Sequence, residues 1–303
     1  MSGKPLDVAI VGAGGLTRAM ARALSRSGSA TVVIASRKQA QARAAARGLS
    51  RVKAVRHVDE ALAAASVVLL AVPDRSVEGV ARAIVPLRAS WRGVVVLHAA
   101  GAYGPELLRP LGRRGAATGV LHPLAVLGAD GSGVLRGSFA RIEGTPRARA
   151  AARKLCALTG LVPLPGKGLQ TPAGRKSYHA AASLASNDLV ALLAAAHGLL
   201  ARRGVPPRAA LAAVAHLAAG AVAAVRSAGL SGALTGPVAR NDAATLAAQL
   251  TALATEDPAA ERAHRALSSR LVELAHAAGR LDREAVLSLS RLLARGPGRA
   301  STV

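Results

Sequence analysis

The stretch that decides the fold is Leu6–Thr17, which reads Leu-Asp-Val-Ala-Ile-Val-Gly-Ala-Gly-Gly-Leu-Thr. Its apolar run, Val8–Val11, predicts a buried strand that breaks at Gly12, and a helical pattern follows at once. Gly12 would permit the tight turn, and Gly14 would let the backbone come close to a pyrophosphate. The helix N-terminus would supply N–H groups and partial positive charge. Strand, glycine turn and helix in this order predict a dinucleotide site; the alternative is a glycine turn that binds nothing.

The helix after this turn carries an apolar face and ends at a glycine, Gly28. Thr17 stands where the dinucleotide fingerprint has Gly or Ala, a residue that serves helix–strand packing. We therefore expect a slightly wider crossing and not a lost site. The residues expected around the pyrophosphate are Gly12, Gly14, Gly15 and Leu16, and those on the apolar face are Leu16, Ala19, Met20, Ala23 and Leu24.

The residues after the second predicted strand, Ala30–Ala35, indicate which dinucleotide is bound. An acidic residue here would bond the ribose 2′-hydroxyl of NAD, whereas Arg accommodates the 2′-phosphate of NADP. The chain has Ser36, Arg37 and Lys38 and no acid. We therefore predict NADP (as NADPH), with Ser36 and Arg37 at the 2′-phosphate. The alternative is a charged first turn of a surface helix.

Strand and helix patterns alternate up to about residue 168, which is typical of a doubly wound parallel sheet. Ser66–Val72 is an unbroken apolar run and predicts a central strand buried on both faces. Val72 and Pro73 follow at the carboxyl edge of the sheet, where ligands bind in such folds, and are expected to contact the cofactor. The fold class is therefore α/β, a mostly parallel Rossmann-like sheet in residues 1–168.

After residue 168 only helical patterns remain, so we predict an all-α domain over residues 169–296 and a loose tail over 297–303. The first long helix is expected to begin at Thr171-Pro172 and to run to about Arg203. It carries Tyr178, and its residues 179, 183, 186 and 187 share a face at helical spacing. This row is His179, Ser183, Ser186 and Asn187, and it predicts a lined pocket or, alternatively, hydrogen bonding between helices.

Two further groups of polar residues could carry chemistry. Thr235, Arg240 and Asp242 surround a Gly-Pro turn before a helix and could hold an anionic substrate; the alternative is that Asp242 caps the helix and Arg240 lies on the surface. Asp74, His98 and His122 follow strands and should meet at one sheet edge. The eight histidines are scattered without metal-ligand spacing, so no metal site is predicted.

Composition and charge limit the classes of function. The chain has 303 residues, 51% of them hydrophobic but only 1% aromatic, so the core must be built from Leu, Val and Ala. The formal net charge of +24 would suit nucleic acid or an anionic membrane. However, the arginines are dispersed singly through alanine-rich helices, which favours a solvated basic surface and predicts no specific nucleic acid partner. The single cysteine, Cys156, is expected to be buried packing.

The termini and apolar stretches predict a cytoplasmic location without a membrane partner. The apolar run near the N-terminus is short and interrupted by glycines, unlike a signal peptide. The longest uncharged stretch, Ala209–Val225, is short and weakly hydrophobic for a membrane span. It is better explained as a buried helix or a subunit interface.

Several motifs resemble those of an uncharacterised bacterial family that pairs a Rossmann-like domain with a helical C-terminal domain. This family is similar to pyrroline-5-carboxylate reductase, ketopantoate reductase and deazaflavin-dependent NADP reductase, in the 6-phosphogluconate dehydrogenase-like group. The motifs are Gly-Ala-Gly-Gly (12–15), Ser-Arg (36–37), Ala-Val-Pro-Asp (71–74), Leu-His-Pro-Leu (121–124), Tyr-His-Ala-Ala-Ala…Ala-Ser-Asn (178–187) and Ala-Leu-Thr-Gly-Pro-Val-Ala-Arg (233–240).

The resemblance implies an NADP(H)-dependent oxidoreductase that reduces a C=O or C=N bond of a small, anionic substrate held between the domains. It also implies a homodimer formed through the helical domain. The alternative is a non-catalytic NADP-binding sensor or scaffold of the same fold. Two departures bear on the chemistry: the family usually has Arg-Gly-Asp where this chain has Arg240-Asn241-Asp242, and the wider group often has Lys where Ser183 stands.

The lysine chemistry of the wider group therefore does not carry over to this chain. Asn187 is expected to orient the substrate, with His179 or His122 as the catalytic acid; Tyr178 and a bound water remain open as proton donors. The substrate contacts are expected from Tyr178, Ser183, Thr235, Arg240 and Asp242, with Arg240 as the anion clamp.

Overall fold

The computed structural model describes residues 4–294, which form two compact units. The first unit extends to Leu184 and the second begins at Ala185. The sequence predicts the domain boundary at residue 168. In the structure the next helix contributes its residues up to Leu184 to the first unit.

The first unit is built on one eight-stranded sheet with the strand order 3-2-1-4-5-6-7-8. Strands one to six are parallel, strand seven is antiparallel to strand six, and the short strand eight is parallel to strand seven. The first six strands thus have the order of a doubly wound dinucleotide-binding sheet. The strands are β1 (Leu6–Val11), β2 (Ala30–Ala35), β3 (Val52–Val55), β4 (Val67–Leu70), β5 (Val95–His98), β6 (Ala117–Pro123), β7 (Phe139–Gly144) and β8 (Val162–Pro163).

Helices of this unit pack on both faces of the sheet, because the central strands are apolar on both sides. One buried cluster joins Ile10 and Leu97 to Met20 and Leu155, and the other joins Val68 and Val96 to helical and turn residues. Cys156 is 1% exposed and belongs to the first cluster, so the prediction of a buried packing role is confirmed. The helices are α1 (Gly15–Ser27), α2 (Gln39–Ala46), α3 (Val58–Leu62), α4 (Val77–Ile84), α5 (Arg109–Gly112), α6 (Pro146–Thr159) and α7 (Pro172–Ala185).

The second unit is helical throughout its described part, residues 185–294. Its apolar core is formed by the helices after residue 233 and includes Leu246, Leu250, Val272, Leu281 and Leu289. The capping alternative given for Asp242 is the one found, since its side chain accepts from Thr245 N, and Asp257 caps the next helix by accepting from Ala260 N. The helices are α8 (Asn187–Arg202), α9 (Pro207–Gly232), α10 (Gly236–Ala239), α11 (Ala243–Glu256), α12 (Pro258–Ala277) and α13 (Arg283–Ala294).

The single long helix predicted from Thr171 to Arg203 is wrong in one respect. The helix breaks at Ser186, whose backbone leaves the helical region (φ −129°, ψ −70°), and α8 starts at Asn187. The polar row at 179, 183, 186 and 187 therefore does not lie on one continuous helix. The tail predicted over 297–303 lies outside the described residues.

Most of the exposed large apolar side chains in the described part of the second unit lie on helices α8 and α9. Val190, Leu192, Leu211, Leu217 and Val222 are all exposed, with Leu217 at 75%. Two helical stretches, Pro172–Arg202 and Pro207–Ala239, also reach the length and apolar character of a membrane-crossing helix, on length and composition alone.

Candidate functional site

The glycine turn after β1 has the geometry that a bound pyrophosphate needs. Gly12 adopts φ +136°, and a Cβ there would lie 2.1 Å from the carbonyl oxygen of Ala71, so no larger residue fits. Gly14 is exposed and a Cβ there would meet nothing within 4 Å, so its main chain is open to a ligand. Helix α1 begins at Gly15 with no side-chain cap and no acid in its first turn. Its N–H groups and dipole are therefore available to an anion.

A loop after β6 covers the opposite side of this turn. A Cβ on Gly15 would lie 2.2 Å from the carbonyl oxygen of Gly128, and one on Gly131 would lie 2.6 Å from Arg18 Cβ. The loop is held by its own bonds, from Gly128 N to Ser132 O and from Ser132 N to Asp130 Oδ1. A ligand can therefore reach the main chain at Gly14, whereas at Gly15 the loop after β6 covers the Cα atom.

Thr17 is completely buried at this crossing, and its hydroxyl oxygen has no hydrogen-bond partner among the described residues. Gly12 lies against it, since a Cβ on Gly12 would be 3.4 Å from Thr17 Oγ1. The helix and strand therefore accommodate the larger residue without closing the turn.

The end of β2 presents a short basic surface. Ser36 is half-buried and its hydroxyl accepts from Lys38 N at 3.2 Å, while Arg37 and Lys38 are exposed. Gln39 fixes the turn by donating to the carbonyl oxygens of Ser36 and Arg56. Among the described residues the guanidinium of Arg37 has no hydrogen-bond or ion-pair partner, so it can meet a phosphate. Val72 and Pro73 follow β4 at the same edge of the sheet, next to the main-chain oxygen that Gly12 contacts.

His122 and Tyr178 form a close pair at the end of β6. The hydroxyl of Tyr178 lies 2.7 Å from His122 Nδ1 and 3.3 Å from the carbonyl oxygen of His122, and its single proton can be donated to either acceptor. The two rings meet edge to face. Burial, with the nearby charge of Arg141, lowers the pKa of His122 to about 4, and burial raises the pKa of Tyr178 to about 12. Both groups are therefore neutral at pH 7.

His179 lies beside this pair and is exposed, and Gly101 makes the arrangement possible. A Cβ on Gly101 would lie 2.8 Å from His122 Nε2 and 2.9 Å from His179 Nδ1. Both nitrogens thus face the same small volume, which any larger residue would occupy. The structure brings together three of the predicted site residues here: His122, Tyr178 and His179.

A network of ion pairs attaches α7 to the sheet and fixes the position of Tyr178. Arg175 of α7 bonds Glu143 through Nε (3.1 Å to Oε2) and Nη2, and Glu106 through Nη1 at 3.0 Å. Glu143 also accepts from the buried Arg141 at 2.5 Å. Arg141 in turn donates to the main chain at Tyr103 and lies 5.5 Å from the centre of the Tyr178 ring.

None of the predicted site residues belongs to this network of ion pairs, although the sequence carries a signal for it. Arg141 and Glu143 alternate around Ile142 in a predicted strand, so two opposite charges share one face of a half-apolar segment. Such charges in a sheet next to α7 need partners, and Arg175 supplies one.

An open cavity of about 300 Å³ joins the glycine turn to His122. Its walls include Gly15 and Leu16 from the turn and first helix, His122 and Pro123 from β6, and Gly128 from the covering loop. The cavity therefore places an imidazole next to the helix N-terminus at which a dinucleotide would bind.

His98, the other histidine at this edge, has a structural role. It is fully buried, its Nδ1 accepts from Ala100 N at 3.1 Å, and its Nε2 lies 2.8 Å from the carbonyl oxygen of Gly104. Burial lowers the pKa of His98. Because both ring nitrogens bond to the main chain, His98 has none left for a ligand. Asp74 begins a short 3₁₀ turn after Pro73.

The remaining predicted substrate residues belong to other parts of the chain. Ser183 is half-buried near the end of α7, and Asn187, in the second unit, is exposed at the start of α8. Thr235 and Arg240 are also exposed, on either side of α10. The carboxylate of Asp242 is engaged by Thr245 through both the main-chain nitrogen and the hydroxyl, which is the capping alternative. No group of three or more metal-ligating side chains occurs within residues 4–294.

Residues 2–123 match a Rossmann-like domain family, and residues 138–271 match a domain of unknown function, DUF2520. The chain therefore carries a Rossmann-like domain followed by a DUF2520 domain. The resemblance stated from its sequence motifs is thereby confirmed. No curated protein sequence matches this Rossmann–DUF2520 chain.

Solved structures show the same fold. A candidate NADP oxidoreductase from Bacteroides fragilis and a protein from Thermotoga maritima each superpose with a TM-score of 0.69 and 22% identity; both cover 89% of this chain, which spans 98% and 99% of theirs. An imine reductase from Pseudomonas sp. has a TM-score of 0.60 at 16% identity, with 96% of this chain and all of its own covered. At these low sequence identities the similarity shows the fold alone, so the function of the Rossmann–DUF2520 protein must be argued from its own residues.

Proposed function

We propose that this protein binds NADPH and reduces a C=O or C=N bond of a small anionic substrate. The observation that carries the proposal is the cavity in which His122, held by Tyr178, lies beside Gly15 and Leu16 of the dinucleotide turn. The similar structures support it, since they include a pyrroline-5-carboxylate reductase from Coxiella burnetii and an Aspergillus terreus reductive aminase in complex with NADPH.

The residues of this chain fit the cofactor at both of its charged groups. Gly14 is open to the pyrophosphate, and the uncapped N-terminus of α1 would stabilise its negative charge. Ser36 and Arg37 would hold the 2′-phosphate, and the surface after β2 has no carboxylate to repel it. When bound, NADPH supplies the hydride.

His122 would act on the substrate as a neutral imidazole. In the proposed tautomer Tyr178 donates its single proton to Nδ1, the nearer of its two acceptors, so Nε2 carries the imidazole proton and would donate a hydrogen bond to a carbonyl oxygen or imine nitrogen in the cavity. A histidine with a pKa of about 4 is a poor store of protons at pH 7. The exposed His179, which faces the same volume beside Gly101, would carry the proton from solvent. Asn187, Ser183, Thr235 and Arg240 remain the proposed substrate contacts.

Titration of the purified protein with NADPH and NADH, followed by nicotinamide fluorescence, tests cofactor binding. We expect micromolar binding of NADPH, weakened about 10-fold by Arg37→Gln, with NADH unaffected. An Arg113→Gln variant, which removes an exposed arginine elsewhere, is the control. Failure of both nucleotides to bind at micromolar concentration would exclude the proposal.

Oxidation of NADPH in the presence of keto acids and cyclic imines tests the catalytic half. The change His122→Asn should reduce turnover by about 100-fold while NADPH affinity stays within two-fold. NADPH binding without oxidation by any of these substrates would instead favour a non-catalytic sensor or scaffold of the same fold.

We further propose that the protein forms a homodimer in the cytoplasm through α8 and α9. Their exposed leucines and valines are of the kind that marks protein–protein contacts, and a second copy would offer the same surface in return. The two stretches that contain these helices, Pro172–Arg202 and Pro207–Ala239, are long and apolar enough for a membrane span, so the experiment must distinguish a dimer from a membrane-bound chain. Sedimentation should give twice the chain mass without detergent; monomers that float with lipid vesicles would contradict the dimer.

A further inference from the structure

An open cavity of about 370 Å³ lies in the first unit beside the outer strands of the sheet. Its walls come from β7, from α6 and from the segment 163–170 that connects β8 to α7. None of the residues of the glycine turn or of the basic segment after β2 contributes to it. The cavity is therefore separate from the proposed dinucleotide site.

The side chains around this cavity are strongly basic. Arg149 and Arg153 are one turn apart on α6, and Lys167 comes from the connecting segment. The lining also includes Gln170 and contains no carboxylate. Like charges at this helical spacing repel each other unless an anion lies between them.

These three cations are also unpaired. Arg149 is half-buried, and within the described part of the chain none of the Arg149, Arg153 and Lys167 side chains has a hydrogen bond or ion pair. A second surface cavity of the same unit shows the contrast, because there Glu78 and Glu106 lie among the arginines. The first cavity thus has an excess of positive charge that its own walls do not balance.

We propose that this cavity binds a phosphate dianion, either free or as the phosphate group of a small phosphorylated metabolite. Two guanidinium groups and one ammonium group match the several oxygens of a tetrahedral dianion better than the two oxygens of one carboxylate. The volume admits a phosphate with a small organic group attached. The amide of Gln170 can bond the organic group or the remaining oxygen.

Calorimetric titration of the full chain with inorganic phosphate tests the site, with glycerol 3-phosphate, a monophosphate without the adenosine that the proposed dinucleotide site would bind, as a second arm. We expect one saturable phosphate site in the wild type and at least a 10-fold weaker affinity in the double variant Arg149→Gln/Arg153→Gln. Tighter binding of the monophosphate would identify a phosphorylated metabolite as the ligand class; equal binding would identify free phosphate.

Two control variants make the result specific. The double variant Arg113→Gln/Arg114→Gln removes two positive charges from an exposed pair outside the cavity. The variant Arg37→Gln removes the guanidinium of the proposed 2′-phosphate site. Both variants should bind phosphate with an affinity within two-fold of the wild type. Circular dichroism checks that each variant is folded. The proposal is overturned if the wild type shows no saturable phosphate binding, or if the control pair loses as much affinity as the Arg149/Arg153 pair. A protein that fails to bind NADPH can still pass this test.

Discussion

The two compact units bury their apolar side chains in different ways. In the first unit a sheet lies between helices, so apolar residues on both faces, such as Met20 and Val96, are enclosed by the unit itself. Among the described residues of the second unit, the helices after residue 233 share a core, while α8 and α9 expose Val190 and Leu217 at 66% and 75%. The proposed dimer would account for this difference, because a second copy would cover α8 and α9.

The largest effect is expected from a charge placed on α9. Leu217→Glu would put a carboxylate into the proposed dimer interface twice, because a two-fold interface contains each residue two times. We expect the dissociation constant of the dimer to rise by about 100-fold or more, as measured by sedimentation at several concentrations. Leu287→Glu, on the exposed face of α13, is the matched control and should leave the dimer intact. An equal rise in the dissociation constant for Leu217→Glu and Leu287→Glu would contradict the proposal that α9 forms the dimer interface.

Truncating a leucine in the core of α11–α13 should lower the free energy of unfolding, whereas truncating a leucine on the exposed face should not. Leu289 is fully buried in this core, so Leu289→Ala should lower the free energy of unfolding by about 2–5 kcal/mol. Leu287 lies two residues earlier on the same helix and is 54% exposed, so Leu287→Ala should change it by no more than about 0.5 kcal/mol. Urea unfolding measures both. A loss of similar size at both positions would show that α13 is covered on its outer face as well.

Acid should destabilise the first unit through His122. Its pKa of about 4 lies below the ordinary value of 6.5, so the unfolded chain takes up a proton that the folded chain does not. The stability contributed by neutral His122 is therefore complete above pH 6.5 and is lost as the pH falls towards 4. Arg141, His179 and the buried His98 face the ring and repel its charged form.

We expect the free energy of unfolding to fall by about 2 kcal/mol between pH 7 and pH 4. This figure is smaller than the full pKa shift would give, because the ring is partly exposed to solvent. His122→Asn should flatten the dependence of the urea midpoint on pH over this interval. His57→Asn, at an exposed position of the first unit, should leave the dependence unchanged. If the urea midpoint of His122→Asn depends on pH as strongly as that of the wild type, other groups, such as His98 and His264, account for the acid sensitivity.

Much of this fold could be predicted because its signals are local. The glycine turn, the strand bounds of β2 and the capping alternative at Asp242 each depend on a few adjacent residues, and the structure shows all three. The order of the first six strands also follows from right-handed crossovers between alternating elements.

The features that escaped prediction depend on residues far apart in sequence. The break at Ser186 occurs in an alanine-rich run with no Gly or Pro to mark it. The ion pairs of Arg175 with Glu106 and Glu143 join three separate elements. His98 and His122 are alike in sequence, each closing a strand. Only their tertiary partners, main chain for one and Tyr178 for the other, distinguish a structural histidine from a candidate catalytic one.

The smallest effect concerns buried polar atoms, of which each unit holds three without a partner among residues 4–294. Thr17 is fully buried in the first unit and Ser268 is 1% exposed in the second, on the same helix as His264 and the buried Glu261. Thr17→Val keeps the shape of the side chain and removes the unbonded hydroxyl, so it should stabilise the first unit by about 1 kcal/mol. Ser268→Ala should have the same sign in the second unit.

Calorimetry would resolve these changes as an increase in Tm of about 2–4 °C. The two sites sharpen the comparison because their surroundings differ: Thr17 lies among apolar neighbours and Gly12, whereas Ser268 shares its helix with Glu261 and His264, whose own Oε2 and Nε2 are unbonded. A buried water could satisfy three polar atoms on α12 at once, and removing Ser268 would then destabilise the protein. Stabilisation at Thr17 together with destabilisation at Ser268 would therefore place that water in the core of the second unit and leave the crossing of α1 and β1 dry.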